Sequence, residues 1–326
     1  MDSRIKRIEW IDNAKGICMI AVIFSHVLLK PISATPFYTP WFLTGFFFIS
    51  GFLFFNPDKT MDVKQKYMNI LTSILLPYIS YWFISFAVDQ ILKKNYLFID
   101  DWLVNVIGGG KLWFASALLV SELTALTYLW VTKLKRIGIY VFPWLSLFIY
   151  FLLPVNDYPW YFRAAMLANF FFGMGMIARI HKHYTVDQLI ASHSIGYLLL
   201  LLFVAMVVID VQIIHNKGVF PRTFSCYPFF IVEAFVSVPL LIWLSARWRR
   251  FNRLILFVGV NSLLYYFFQR QAYLAMHKLL GFIGMTEASL LGAIFETVGT
   301  ILILILPVLA VNKWMPFMSG KLRIKF

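Results

Sequence analysis

Ten apolar stretches, most of them close to twenty residues long, leave this 326-residue chain few folds to choose from. They lie near 11–30, 37–56, 67–89, 111–131, 138–153, 160–179, 189–209, 223–246, 254–278 and 288–312. About 20 apolar residues in a helix cross the roughly 30 Å of hydrocarbon in a bilayer. Inside that layer the backbone finds no water, so a spanning segment satisfies its own polar groups as a helix. Hydrophobic residues make up 61% of the chain and charged residues only 13%, where a soluble domain carries about a quarter charged residues. A soluble core cannot absorb that much apolar surface, so lipid is the solvent. The expected fold is an all-α integral membrane protein with about ten transmembrane helices in one bundle. Residues 1–326 read as a single integral-membrane domain, with no repeat, linker or soluble appendage.

The connections between these stretches set an orientation. With the N-terminus in the cytoplasm, 19 Lys and Arg residues fall on inner segments and eight on outer ones. Every inner segment contributes, from Arg4, Lys6 and Arg7 to Lys313, Lys321, Arg323 and Lys325. Cytoplasmic loops carry such an excess, which predicts ten spans with both termini cytoplasmic. The first span, a basic start followed by an apolar run with no small-x-small cleavage site, reads as an uncleaved signal anchor. The longest connection, 90–110, is expected to hold a short interfacial helix ending at Gly108-Gly109-Gly110.

The net charge of +14 fits topology and contact with anionic lipid rather than nucleic acid, because no polar domain exists to carry a basic face. Two cysteines, Cys18 and Cys226, both within apolar stretches, make neither a disulfide framework nor a CxxC metal or redox site, and no histidine spacing suggests a metal centre.

Ionisable groups inside apolar spans are costly and usually face a bundle interior or a watery cavity. Lys15 and His26 lie eleven positions apart on the first span. At about 100° and 1.5 Å per residue they share nearly one face, roughly 16 Å apart along the axis. One groove can then hold an anionic group at Lys15 and acid–base chemistry at His26, whose imidazole both takes and returns a proton near neutral pH. The alternatives are a structurally hydrogen-bonded histidine and a snorkelling lysine. Asp12, one turn before Lys15, is placed to cap the helix start and to orient that lysine.

Other polar groups in spans are candidates of the same kind. Glu122, midway through the fourth span, can orient His26 or pair with Lys15. Ser50 can donate to a substrate oxygen, though packing explains the Gly45 and Gly51 around it equally well. Lys64 and Lys66 precede the third span, where Pro77 is expected to kink the helix; Trp113 opens the fourth, and Arg163 lies at the outer mouth of the sixth. Asn261, Ser262, Tyr265, Tyr266 and Gln269 form a polar run on the ninth, lining a cavity or joining helices. Glu233 and Glu296 are further intramembrane carboxylates, with Arg270 the expected partner of either.

Several of these elements together resemble the membrane-bound acyltransferase 3 family, most closely its fucose O-acetylase-like, glycan O-acyltransferase branch. The first span matches that family's cation-x10-histidine motif at Lys15 and His26. Phe48-Ile49-Ser50-Gly51-Phe52, Lys66 with Pro77-Tyr78, Lys111-Leu112-Trp113-Phe114 and Gly259-Val260-Asn261-Ser262-Leu263 resemble its later elements. Relatives often carry a histidine near the position of Gln269.

The resemblance implies a ten-helix core that moves an acyl group from cytoplasmic acyl-CoA to a hydroxyl of a glycan or lipid-linked sugar. His26 would be the catalytic base and Lys15 would hold the donor. Lys66, Ser50 and Trp113 are added on the donor side, Glu122 beside the base, and Arg163, Asn261 and Gln269 on the acceptor side. Acyl-CoA is then a co-substrate, acetyl-CoA before succinyl-CoA, and no tightly bound cofactor or metal is expected. The implied location is the bacterial inner membrane. The competing reading is a multi-span transporter or flippase for a lipid-linked sugar, in which the buried charges and Pro77 line a path.

Overall fold

The computed structural model describes residues 8–31, 34–93, 106–110, 112–133, 135–156, 158–215, 226–248 and 252–321. Most of the expected interfacial helix before Gly108, Lys111 and both termini lie outside the described residues.

The fold is all-α. In chain order the main helices are α1 (Glu9–His26), α2 (Phe42–Phe54), α3 (Val63–Ile70), α4 (Leu76–Lys93), α5 (Trp113–Val131), α6 (Arg136–Leu152), α7 (Phe162–Ile180), α8 (His193–Ile209), α9 (Tyr227–Arg247), α10 (Asn252–Val260), α11 (Ser262–Phe282) and α12 (Leu290–Trp314). Among the described residues, seven helical segments are long and apolar enough to cross a membrane: Thr35–Phe54, Val63–Ala87, Trp113–Val131, Pro159–Ile180, His193–Ile214, Tyr227–Arg247 and Leu290–Trp314. These coincide with seven of the ten expected spans. The other three are α1, which carries Glu9, Asp12 and Lys15; α6, which is 17 residues long; and the α10–α11 pair.

Two of the expected spans depart from a regular α-helix. In the third, a wide π turn over Leu71–Leu75 joins α3 to α4 just before Pro77. Pro77 has no N–H for the preceding turn, and the widened turn absorbs the mismatch. Thr72 Oγ1 donates to the Met68 and Asn69 carbonyls at 2.9 and 3.2 Å there. In the ninth, the chain breaks between α10 and α11 at Asn261, whose Nδ2 donates to the Phe257 carbonyl at 2.8 Å. The Asn261 N–H still reaches the Phe257 and Val258 carbonyls, each at 3.2 Å, so the side chain adds a second donor to a carbonyl already bonded at the turn.

The described chain divides into two compact units, with the boundary falling inside α2 and α12. The first unit comprises 1–49 and 181–305, the second 50–180 and 306–326. Within the first, α1 packs against α9, α10 and α11, while α8 packs on α9. The α1–α10 contact is backbone on backbone. A Cβ on Gly16 would collide with the Ile255 carbonyl, and one on Gly259 with the Asp12 carbonyl. Two of the sequence elements noted above, one around Lys15 and one opening with Gly259, are thus the two sides of a single helix crossing. Within the second unit, α7 packs against α5 and α6, and Gly51 lets α2 meet the Phe172 carbonyl of α7.

Substituting Gly259 with Val should therefore separate α1 from α10 and lower the thermal midpoint of detergent-solubilised protein, at a cost of about 1–3 kcal/mol or more. Gly281, with nothing within 4 Å of an added Cβ, is the contrast: Gly281→Ala should stay within about 0.5 kcal/mol of the parent. Equal midpoints for both variants would contradict the close crossing.

Candidate functional site

Helix α1 carries the groups singled out from the sequence, Asp12 and Lys15 in its first half and His26 at its C-terminal end. The helix is unbroken from Glu9 to His26, so Lys15 and His26 share one rigid element. Its start differs from expectation. Ile8 occupies the N-cap position with no side-chain cap, so Asp12 lies in the first turn and does not cap the helix. The apolar residues before Asp12, Trp10 and Ile11, are buried, and their burial draws the helix start back toward the terminus. Lys15 is half-buried, beside Gly16 at the crossing with α10. Asn13 donates from Nδ2 to the Ser245 carbonyl of α9 at 3.1 Å, which fixes the rotation of α1 in its unit.

At the other end, His26 is exposed, and its Nδ1 lies 2.7 Å from the Val22 carbonyl one turn back. A carbonyl oxygen only accepts, so Nδ1 carries the proton. Ser25 Oγ, itself donating to the Val22 carbonyl at 2.7 Å, stands 3.0 Å from the same nitrogen. Nε2 makes no hydrogen bond among the described residues and is the basic nitrogen of this tautomer. The orienting group of His26 is thus a backbone carbonyl of its own helix.

Beyond His26 the chain leaves the helix and is tethered. Glu296 of α12, with no exposed side chain, accepts hydrogen bonds at Oε2 from both Leu28 N–H and Leu29 N–H, each at 3.0 Å. Its Oε1 is 3.4 Å from His277 Nδ1 of α11, within ion-pair reach but off hydrogen-bond alignment. Ser289 N–H donates to the Leu29 carbonyl at 2.7 Å, and Lys30 folds back so that Nζ donates to the Ser25 carbonyl. A cation there suits the negative end of the α1 dipole. Arg270, expected to pair with Glu233 or Glu296, is exposed and forms no ion pair among the described residues. Its position on α11 follows the helical period outward, while the buried position next to it belongs to Gln269.

Gln269 is 5% exposed, with its Oε1 lacking a partner, and Asn261 serves the backbone of α10 as described. Both belong to the first unit, with Lys15, His26 and Asp12.

The remaining candidates belong to the second unit. Ser50 is half-buried on α2. Lys66 donates from Nζ to the Phe54 carbonyl at 3.1 Å and sits 4.2 Å from the Phe54 ring centroid, closing the C-terminal end of α2. Glu122 is half-buried on α5, between two residues that tie this helix to α7: Ser121 donates to the Ala165 carbonyl at 3.5 Å, and Asn169 Nδ2 donates to Thr124 Oγ1 at 2.9 Å. Trp113 lies 6.5 Å, centroid to centroid, from Tyr161. The Arg163 guanidinium stacks 4.2 Å over the Tyr150 ring, and its Nε donates to the Leu153 carbonyl at 3.1 Å.

The apolar helices and buried polar groups define a multi-pass membrane protein. A family model described as an acyltransferase domain, that of the acyltransferase 3 family, matches residues 8–311. The chain belongs to that family. Comparison with curated proteins and with solved structures gave no match.

Sequence reasoning missed Glu296 as the tether of residues 28 and 29 and His277 as its neighbour. The carboxylate was visible in the sequence, but its partners are main-chain N–H groups 267 and 268 positions away, which no spacing encodes. Replacing Glu296 with Ala leaves two N–H donors unpartnered, a loss of about 1–3 kcal/mol. Hydrogen exchange should then accelerate at the Leu28 and Leu29 amides, with Glu296→Gln falling between. Unchanged exchange at those two amides would remove the tether.

Proposed function

We propose that this membrane acyltransferase moves an acyl group, acetyl first among candidates, from cytoplasmic acyl-CoA to a hydroxyl of a glycan or lipid-linked sugar, with His26 Nε2 as the base. The single observation that supports this reading best is the orientation of His26: its Nδ1 proton is fixed on the Val22 carbonyl and its Nε2 has no partner among the described residues.

The chemistry follows from that tautomer. The acceptor hydroxyl gives its proton to Nε2 as its oxygen attacks the thioester carbonyl carbon. The tetrahedral intermediate collapses, the C–S bond breaks, and the departing thiolate takes the proton back from Nε2. The product is an ester and free CoA, with His26 returned to its starting state. The Glu296 tether keeps the chain after His26 in place while the ring cycles.

Lys15 is assigned the anionic part of the donor as a compact point charge. Lys66 is a second donor-side cation, although its bond to the Phe54 carbonyl also gives it a structural duty. Ser50 is a candidate oxyanion donor, and Glu122 a candidate for charge balance in its own unit. Both termini are placed in the cytoplasm on the distribution of Lys and Arg, and the membrane is taken to be the bacterial inner membrane.

The test is acyl-CoA turnover by purified protein in nanodiscs, following free CoA and a labelled acyl group. His26→Ala should lower turnover by about 100-fold to 10,000-fold, the range of a lost general base, with donor binding retained. Lys15→Ala should weaken donor binding. Wild-type protein that binds no acyl-CoA would end the reading.

A further inference from the structure

The second unit holds a cluster of aromatic side chains whose backbone is out of the ordinary. Trp160 and Tyr161, in the short Pro159–Tyr161 turn before α7, both have positive φ, 55° and 53°. Bulky side chains rarely adopt that left-handed conformation, and such outliers cluster at ligand-holding and active sites. Here the surroundings impose it. Trp160 N–H donates to the Gly108 carbonyl at 2.8 Å, and the Trp160 Cα packs where a Cβ on Gly109 would come within 2.8 Å. The Gly109 carbonyl is held in turn by Ser116 Oγ at 2.8 Å. The glycine run before the fourth span thus serves as the cradle of Trp160.

This geometry turns the two rings away from a simple membrane-interface role. An interfacial tryptophan lying among lipid headgroups needs no left-handed backbone. The Trp160 ring is half-buried, 5.5 Å from the buried ring of Tyr78, while Tyr161 lies 6.5 Å from Trp113. The Trp160 indole N–H makes no hydrogen bond among the described residues. The nearby cation does not call for an anion: Arg163 is already stacked on Tyr150 and bonded to the Leu153 carbonyl. Among the described residues, what is presented is partly open π surface with a free N–H donor and no uncommitted charge. A pyranose ring complements that surface, with C–H faces for the rings and hydroxyl or ring oxygens to accept from the indole.

We propose that Trp160, Tyr161 and Trp113, backed by Tyr78 and cradled by Gly109, form a neutral-carbohydrate subsite. Its part in acyl transfer rests on the function proposed above, whereas the binding itself does not. Trp113 then belongs with the sugar rather than with the CoA donor.

The experiment is saturation-transfer difference NMR on the full chain in nanodiscs, without acyl-CoA. The probes are three oligosaccharides: one built of hexose, one of deoxyhexose and one of N-acetylhexosamine. Wild-type protein should saturate the ring C–H protons of at least one. Trp160→Ala should weaken that binding by about tenfold, the loss of a stacking face and a hydrogen bond. Trp160→Phe keeps a stacking face, loses only the N–H and carries the test should the Ala variant unfold. It should bind about threefold more weakly than wild type.

Wild-type protein that saturates none of the three overturns the proposal. So does undiminished binding in a folded Trp160→Ala or in Trp160→Phe, or saturation confined to lipid. Sugar binding in a wild type that binds no acyl-CoA would defeat the acyltransfer reading and leave the subsite standing.

Discussion

Two main-chain N–H groups just past α1 depend on one buried carboxylate, and the geometry around His26 depends on them. In hydrocarbon a polar group without a partner costs several kcal/mol. The chain just past α1 hands its backbone groups to another element. Glu296 receives both Leu28 and Leu29, Ser289 takes the Leu29 carbonyl, and Lys30 turns back onto Ser25. The histidine that closes α1 is thus held from both sides: by the helix behind it through Val22, and by α12 ahead of it. The base role proposed for His26 requires placement within a fraction of an ångström of the proton, and main-chain and buried-side-chain contacts hold the residue here.

The opposite end of α1 is fixed by a different device. Gly16 and Gly259 remove the side chains that would separate α1 from α10, and the backbones meet around Asp12 and Ile255. Small residues at membrane helix contacts allow such approach, and dispersion rather than hydrophobic burial holds it. Lys15 emerges beside this crossing. Lys15, nearly two turns inside α1, and His26, at its C-terminal end, therefore sit on a helix that can neither slide nor rotate easily. In the second unit the same device recurs: Gly51 admits the Phe172 carbonyl, and Gly109 admits Trp160.

Much of this was legible in the sequence, and the unread part has a common cause. Apolar length predicted the helices, including those that contain the Lys15–His26 pair and Glu122. Helical period correctly put Gln269 inside, but it gave Arg270 to Glu233 or Glu296 because opposite charges in apolar spans invite pairing. The structure sends Arg270 outward and satisfies Glu296 with backbone amides. Local rules also put a cap at Asp12, where burial of Trp10 and Ile11 instead moves the start of the helix to Glu9. Pro77 announced a distortion, and the π turn lies just before it. The left-handed Trp160 and Tyr161 had no local signal at all, and the glycine that makes room for Trp160 is about fifty residues away in the chain.

The role proposed for His26 requires an unprotonated Nε2. Solid-state NMR of protein labelled with nitrogen-15 in its histidines, subtracting the spectrum of His26→Gln in the same bilayers at neutral pH, reads that ring directly. The account predicts a His26 signal pair with the proton on Nδ1, in hydrogen-bond exchange with a carbonyl, and a bare Nε2. A proton found on Nε2 with Nδ1 bare would contradict it, because the nitrogen left to act as a base would then be the one turned back against Val22.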